Sequence, residues 1–264
     1  TIFPYFGSLL ILEASLEAVD PAALDSAALD TWRAAESVVV RNTYVGLAVA
    51  LLLLALAVWW GRRQLVEQPV PRQHILRAFD LLRQPRFAFG TLGIFLYVGA
   101  EVAIGSIIVN YLMQTSVMGL SPQAAGELVP LYWGGAMVGR FIGAWLLRWI
   151  SPGKLLMFVA AMVLLLLLVS ATTTGPVSGW ALLSIGLFNS IMFPTIFSLA
   201  CEGLGERAAE GSGIICMAIV GGAIVPLLLG AAADNWGLHV ALFVPALCYL
   251  GILLFGWMAR RSHQ

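Results

Sequence analysis

Charge is what this sequence has least of. In 264 residues there are 14 Lys and Arg and 14 Asp and Glu, so 11% of the chain is charged, where a soluble chain carries roughly a quarter. Lysine occurs once, at Lys154, and no glycine-rich loop precedes it, so an ATP-driven pump has no support. His74, His239 and His263 are scattered through loops and ends and form no catalytic constellation. Cys201, Cys216 and Cys248 lie in or beside apolar stretches without CxxC spacing, which excludes a disulfide framework and a cysteine metal site. The acids before residue 37 are too dispersed for a calcium loop. The sequence implies no enzyme activity, cofactor or metal.

What is present is apolar. Hydrophobic residues make up 60% of the chain, gathered into runs of bilayer-crossing length, since about 20 helical residues span the hydrocarbon layer. The runs are too long for strands, and small residues recur at helical spacing. They predict an all-α polytopic membrane protein, with a partial span ending near Leu12 and full spans at 43–60, 88–112, 128–149, 154–171, 180–200, 212–232 and 238–258. The opening stretch, TIFPYFGSLLIL, reads as the second half of a span, the expectation for a fragment.

Arginine and lysine then set the orientation, because loops that hold them stay on the cytoplasmic side. Arg62, Arg63, Arg72, Arg77, Arg83 and Arg86 fill the segment 61–86; Arg148, Lys154, Arg207, Arg260 and Arg261 occupy later connections on the same side. The other side has only Arg33 and Arg41, among Glu13, Glu17, Asp20, Asp25, Asp30 and Glu36. The segment 61–86 and the C-terminus are therefore expected in the cytoplasm. The basic segment reads as a solvated, headgroup-facing stretch and not as a nucleic-acid site.

A few polar residues interrupt the spans. Glu101 lies in the middle of 88–112, within YVGAEVAIGS, and a carboxylate at that depth costs a few kcal/mol. It reads as a pathway-lining acceptor for a solute hydroxyl or a titrating group, or else as a packing hydrogen bond inside the bundle. Tyr97 is four residues earlier on the same face. Asn110 and Gln114 end this helix; Asn110 points away from Glu101 on an ideal helix, and the two reach one cavity only if the chain bends near Gly105. Trp133 is a candidate stacking platform or an interfacial belt residue, while Gly135, Gly139 and Gly143, spaced by four, form a small-residue packing stripe. Arg140 can snorkel or pair with an acid on a neighbouring helix. Asn189, with Phe193 one turn on and Pro194 beside it, is the candidate for a direct substrate contact; the other reading is an interhelical amide bond. Ser212 and glycines 211, 213, 221 and 222 point to close helix packing.

The stretches YVGAEVAIGS, GRFIGAWLLR, GLFNSIMFPTIFSLACEGLG and EGSGIICMAIVGGAIVP resemble the fucose:proton symporter family of the major facilitator superfamily, which includes glucose/galactose-type sugar transporters of bacterial inner membranes. The resemblance implies that 1–60 ends a first bundle, with partial helix five, an outer loop and helix six. It makes 61–86 the cytoplasmic linker and 87–264 the complete C-terminal six-helix bundle. It further implies hexose or 6-deoxyhexose transport (fucose, glucose or galactose) with a proton, by alternating access. The principal proton-coupling acids are then expected in the absent N-terminal bundle, with Glu101 as a lesser candidate here. Substrate-facing candidates are Asn189, Glu101, Asn110, Trp133, Phe193 and Tyr97. The expected partners are a sugar, a proton, the lipid bilayer and the missing bundle. The competing readings are a multidrug or other solute exporter of the same superfamily and a non-transporting sugar sensor.

Overall fold

The computed structural model describes residues 26–61 and 78–260, and every regular element in them is helical. The stub ending near Leu12 and most of the basic linker, 62–77, lie outside the described residues. The chain divides into two compact units, one holding the first described helix and the other everything described from Ala78 onward.

The first unit contains α1, Ser26–Gly61, a single helix of 36 residues. Only 43–60 was expected to be helical; the structure continues the helix seventeen residues earlier, through Thr31, Arg33 and Glu36. No proline or glycine interrupts 26–45, so nothing stops a helix that the apolar half has nucleated. Leu52, Leu53, Leu56 and Trp60 are exposed along its apolar half.

In the second unit, a short 3-10 turn, Phe79–Arg83, leads into α2, Pro85–Met113. It is followed by α3 (Pro122–Leu146), α4 (Pro152–Thr172), α5 (Pro176–Asn189), α6 (Met192–Cys201), α7 (Ala208–Ala218), α8 (Gly221–Trp236), α9 (Leu238–Ala241) and α10 (Phe243–Ala259). Proline opens α2, α3, α4 and α5 within the first turn, where its missing N–H costs nothing. Among the described residues, six stretches are long and apolar enough to cross a membrane: Tyr44–Gly61, Pro85–Met113, Pro152–Thr172, Pro176–Cys201, Gly205–Trp236 and Leu238–Ala259. The expected span 128–149 is not one of them. Its helix, α3, has 25 residues, ample in length, but Glu127, Arg140 and its glycines dilute its apolar character. Both charged side chains are exposed.

Three spans are discontinuous, Leu238–Ala259 by the single residue Leu242 between α9 and α10. The span 176–201 breaks at Ser190–Ile191, between α5 and α6. Pro194 explains the position: it offers no N–H to the carbonyl four residues back, that of Ser190, and its ring crowds that carbonyl. The span 205–236 breaks at Ile219–Val220, between α7 and α8. α2 lies centrally, packed against α3, α6, α8 and α10, while α3 packs on α5 and α4 on α10.

Glycines set the closest approaches. A Cβ on Gly135 would sit 3.2 Å from the Leu187 nitrogen, one on Gly139 would sit 2.6 Å from the Ser190 Oγ, and one on Gly143 would sit 2.5 Å from the Ile191 Cδ1. The stripe on α3 thus lies directly against the α5–α6 break. Gly221 and Gly222 likewise seat α8 against Phe95, Val98 and Val102 of α2.

At one end of the bundle Tyr111 ties helix ends together. Its hydroxyl donates to the Ser170 carbonyl at 2.7 Å and accepts from the Ser170 Oγ at 2.9 Å, with His239 Nδ1 at 3.1 Å. At the opposite end Arg86 donates from Nε to the Leu199 carbonyl at 3.0 Å and pairs with Glu202, which satisfies the open C-terminal end of α6. Because this pair is half-exposed, Arg86→Leu is expected to cost only about 1 kcal/mol, or roughly a few degrees in Tm. A thermal melt of the purified protein checks this, and an unchanged Tm would show the latch to be energetically idle.

Candidate functional site

The site forms where α2, α3 and α10 meet the α5–α6 break. Glu101 is half-buried on α2, and the Tyr97 hydroxyl, one turn earlier, lies 2.7 Å from its Oε1. The same hydroxyl lies 3.0 Å from the backbone carbonyl of Asn189, the last residue of α5. Tyr97 is 3% exposed.

Asn189 occupies the centre. It is 0% exposed; its Nδ2 donates to the Tyr132 hydroxyl at 2.9 Å, and its Oδ1 accepts from the Tyr249 hydroxyl at 2.7 Å. Tyr132 in turn donates to the Glu101 carbonyl at 3.4 Å. Of the two readings of Asn189, the interhelical amide bond is the one this geometry favours. Its amide is engaged by two tyrosines and has no open face, so the structure makes it a hub joining α3, α5 and α10. The reason is local: the break after Asn189 turns its side chain into the bundle, where any unpaired amide would be costly.

Aromatic rings pack on Tyr97 and Tyr132. Phe193 lies 6.3 Å from Tyr97, ring centre to ring centre, and Phe197 stacks on Phe193 at 6.3 Å with planes 21° apart. Trp133 stands edge-on to Tyr132 at 5.2 Å. Its Cζ2 would lie 3.3 Å from a Cβ on Gly105, so the missing side chain at Gly105 is what seats the indole one turn beyond Glu101. The result is a wall of half-buried Phe193, Glu101 and Trp133, with buried Tyr97 and Asn189 behind it.

Asn110 is not part of this wall. α2 runs through Gly105 as one unbroken helix of 29 residues, nine residues at about 100° each put Asn110 on the opposite side from Glu101, and Asn110 is exposed. Tyr132 and Tyr249 were missed by sequence reading, because each is an ordinary aromatic in an apolar run. Phe197 was legible, one turn after Phe193 on the same face.

A half-buried carboxylate, an aromatic wall and a broken helix, all at mid-span, define a polytopic membrane protein built around a polar midplane cluster. The model of the Major Facilitator Superfamily matches residues 2–219, and the chain belongs to that superfamily. It is 44% identical over 262 residues to a "Glucose/galactose transporter" of Brucella abortus, covering 99% of this chain and 60% of that protein. It is 41% identical over 269 residues to a "Putative glucose/galactose transporter" of Helicobacter pylori, covering 100% of this chain and 63% of that protein. A crystal structure of the Escherichia coli fucose:proton symporter superposes with a TM-score of 0.72 at 28% identity, covering 97% of this chain and 64% of that one. The chain therefore spans a little over 60% of the length of these relatives.

Proposed function

We propose that this chain supplies the second bundle of a sugar:proton symporter that imports a neutral hexose or 6-deoxyhexose by alternating access. In this reading 1–60 ends the first bundle, 61–86 is the cytoplasmic linker and 87–264 is the second bundle, in a bacterial inner membrane with the C-terminus in the cytoplasm. The first bundle is the partner that closes the cavity. The observation that carries the reading is the half-buried Glu101 carboxylate bonded to Tyr97 in the middle of α2, with Phe193 against Tyr97 and Trp133 seated at Gly105 one turn on. A neutral sugar offers hydroxyls and apolar ring faces, and a carboxylate beside aromatic planes meets both. The names of the relatives, glucose/galactose transporter and fucose:proton symporter, agree with that chemistry.

Uptake of labelled glucose, galactose and fucose by cells expressing the protein with both bundles tests this, with and without a proton uncoupler. Accumulation of one of these sugars, lost when the uncoupler is added, is the expected result. Accumulation insensitive to the uncoupler would remove the proton from the mechanism. Sugar binding without uptake would favour a sensor, and export of an apolar cation without sugar uptake would favour an efflux protein.

A further inference from the structure

We propose that Tyr97 is a positioning residue that reports the protonation state of Glu101 to the α5–α6 break. The proposal deepens the reading above and rests on it for its use in transport. A phenol has one hydrogen to donate, yet the Tyr97 hydroxyl faces two oxygen acceptors, Glu101 Oε1 at 2.7 Å and the Asn189 carbonyl at 3.0 Å. At 3% exposure water does not make up the difference. When Glu101 is a carboxylate, the charged acceptor takes the hydrogen, since bonds to charged groups are about twice as strong as neutral ones. The Asn189 carbonyl then loses its tyrosine partner.

When a proton from the aqueous cavity binds the Glu101 carboxylate, the new O–H donates to the Tyr97 oxygen. The Tyr97 hydrogen is thereby released toward Asn189, giving one directional chain from Glu101 through Tyr97 to the Asn189 carbonyl. No covalent bond other than the O–H on Glu101 is made. Asn189 closes α5 immediately before the break, and Pro194 has already deprived the next carbonyl of a helical partner. One hydrogen bond more or less therefore falls where the backbone is least held.

The surroundings leave this carboxyl as the group that titrates against Tyr97. On α3 the Tyr132 hydroxyl bonds the Glu101 backbone carbonyl and not its carboxyl, and Arg140 is exposed; from α10 the Tyr249 hydroxyl bonds the Asn189 amide. From α5 comes Asn189, which is neutral, and from α6 Phe193. α8 brings Gly221 and Val225 to the neighbouring Gly99.

The test is amide hydrogen exchange across 186–196 in the purified protein carrying both bundles, between about pH 8 and about pH 4, a range bracketing ordinary carboxyl titration. Rates are corrected for the intrinsic pH dependence of exchange. Exchange at 190–195 is expected to be about fivefold slower at the acid end, the size of one ordinary hydrogen bond. Glu101→Gln, whose amide N–H donates to Tyr97 at every pH, should hold the slow rate throughout. Tyr97→Phe keeps the ring and the carboxyl and should exchange at the fast rate throughout. A pH-independent wild type, or a Tyr97→Phe variant that still responds, overturns the proposal. None of these readouts requires sugar uptake, so failure of the transport reading is seen separately. If Tyr97→Phe does not fold, the pH response of wild type against Glu101→Gln still decides.

Discussion

Gly139→Val is expected to leave little folded protein, whereas Gly213→Ala is expected to be harmless. The two glycines sit in helices of one bundle and differ only in what surrounds them. A Cβ at Gly139 would overlap the Leu187 carbonyl oxygen and lie 2.6 Å from the Ser190 Oγ. The nearest obstacle is backbone, at the last turn of α5, and cannot rotate away. α3 and α5 would have to separate, opening the interface that also carries the Asn189–Tyr132 bond. Overpacking of this kind costs about 1–3 kcal/mol where side chains can adjust, and more is expected where they cannot. A Cβ at Gly213 meets nothing within 4 Å, and alanine is the better helix former by about 1 kcal/mol. The fraction of monodisperse protein in size-exclusion chromatography and the Tm of what is recovered check both variants. Equal recovery of the two would mean that the α3 stripe does not set the α3–α5 distance.

The same contrast shows which parts of the architecture sequence could supply. Gly135, Gly139 and Gly143 recur every four residues, a helical repeat that marks a packing stripe whatever helix it meets. The identity of the partner, the broken end of α5, needed three dimensions. Pro194 announced a kink, and its position four residues past Ser190 placed the break. The Tyr97–Glu101 pair was legible because both lie on one helix, one turn apart. The convergence of Tyr132 and Tyr249 on Asn189 was not, since those residues belong to three helices and each hydroxyl is silent in a hydropathy reading. Asn110 shows the opposite failure. Its polarity suggested a place in the cavity, but in the unbroken α2 helical geometry put it on the other face. In α1 the missing signal was a stop: the polar residues from Ser26 read as a loop, yet contain no helix breaker before Gly46.

Asn189→Leu is expected to lower both stability and sugar affinity, and Tyr249→Phe is expected to reproduce part of both effects. Leucine fills most of the volume but removes the acceptor for Tyr249 and the donor to Tyr132. Tyr249 is fully buried, so its hydroxyl is left without a partner, at a cost of about 1–3 kcal/mol. Tyr132 keeps only its longer bond to the Glu101 carbonyl. Loss of the hub frees the α5–α6 break and the backbone of Glu101 together, and with them the placing of Phe193 and the carboxylate. The affinity of the protein with both bundles for its sugar should then fall by about tenfold, the equivalent of ~1.4 kcal/mol. Tyr249→Phe discriminates between the two accounts of Asn189. A tyrosine with no exposed surface cannot touch a ligand, so a hub predicts that deleting its hydroxyl lowers Tm and weakens sugar binding by several-fold. A direct amide–sugar contact predicts that Tyr249→Phe leaves affinity unchanged while Asn189→Leu does not. Isothermal titration with the sugar and a thermal melt on the two variants separate the outcomes. Normal affinity in a well-folded Tyr249→Phe variant, beside a large loss at Asn189→Leu, would return Asn189 to the binding surface.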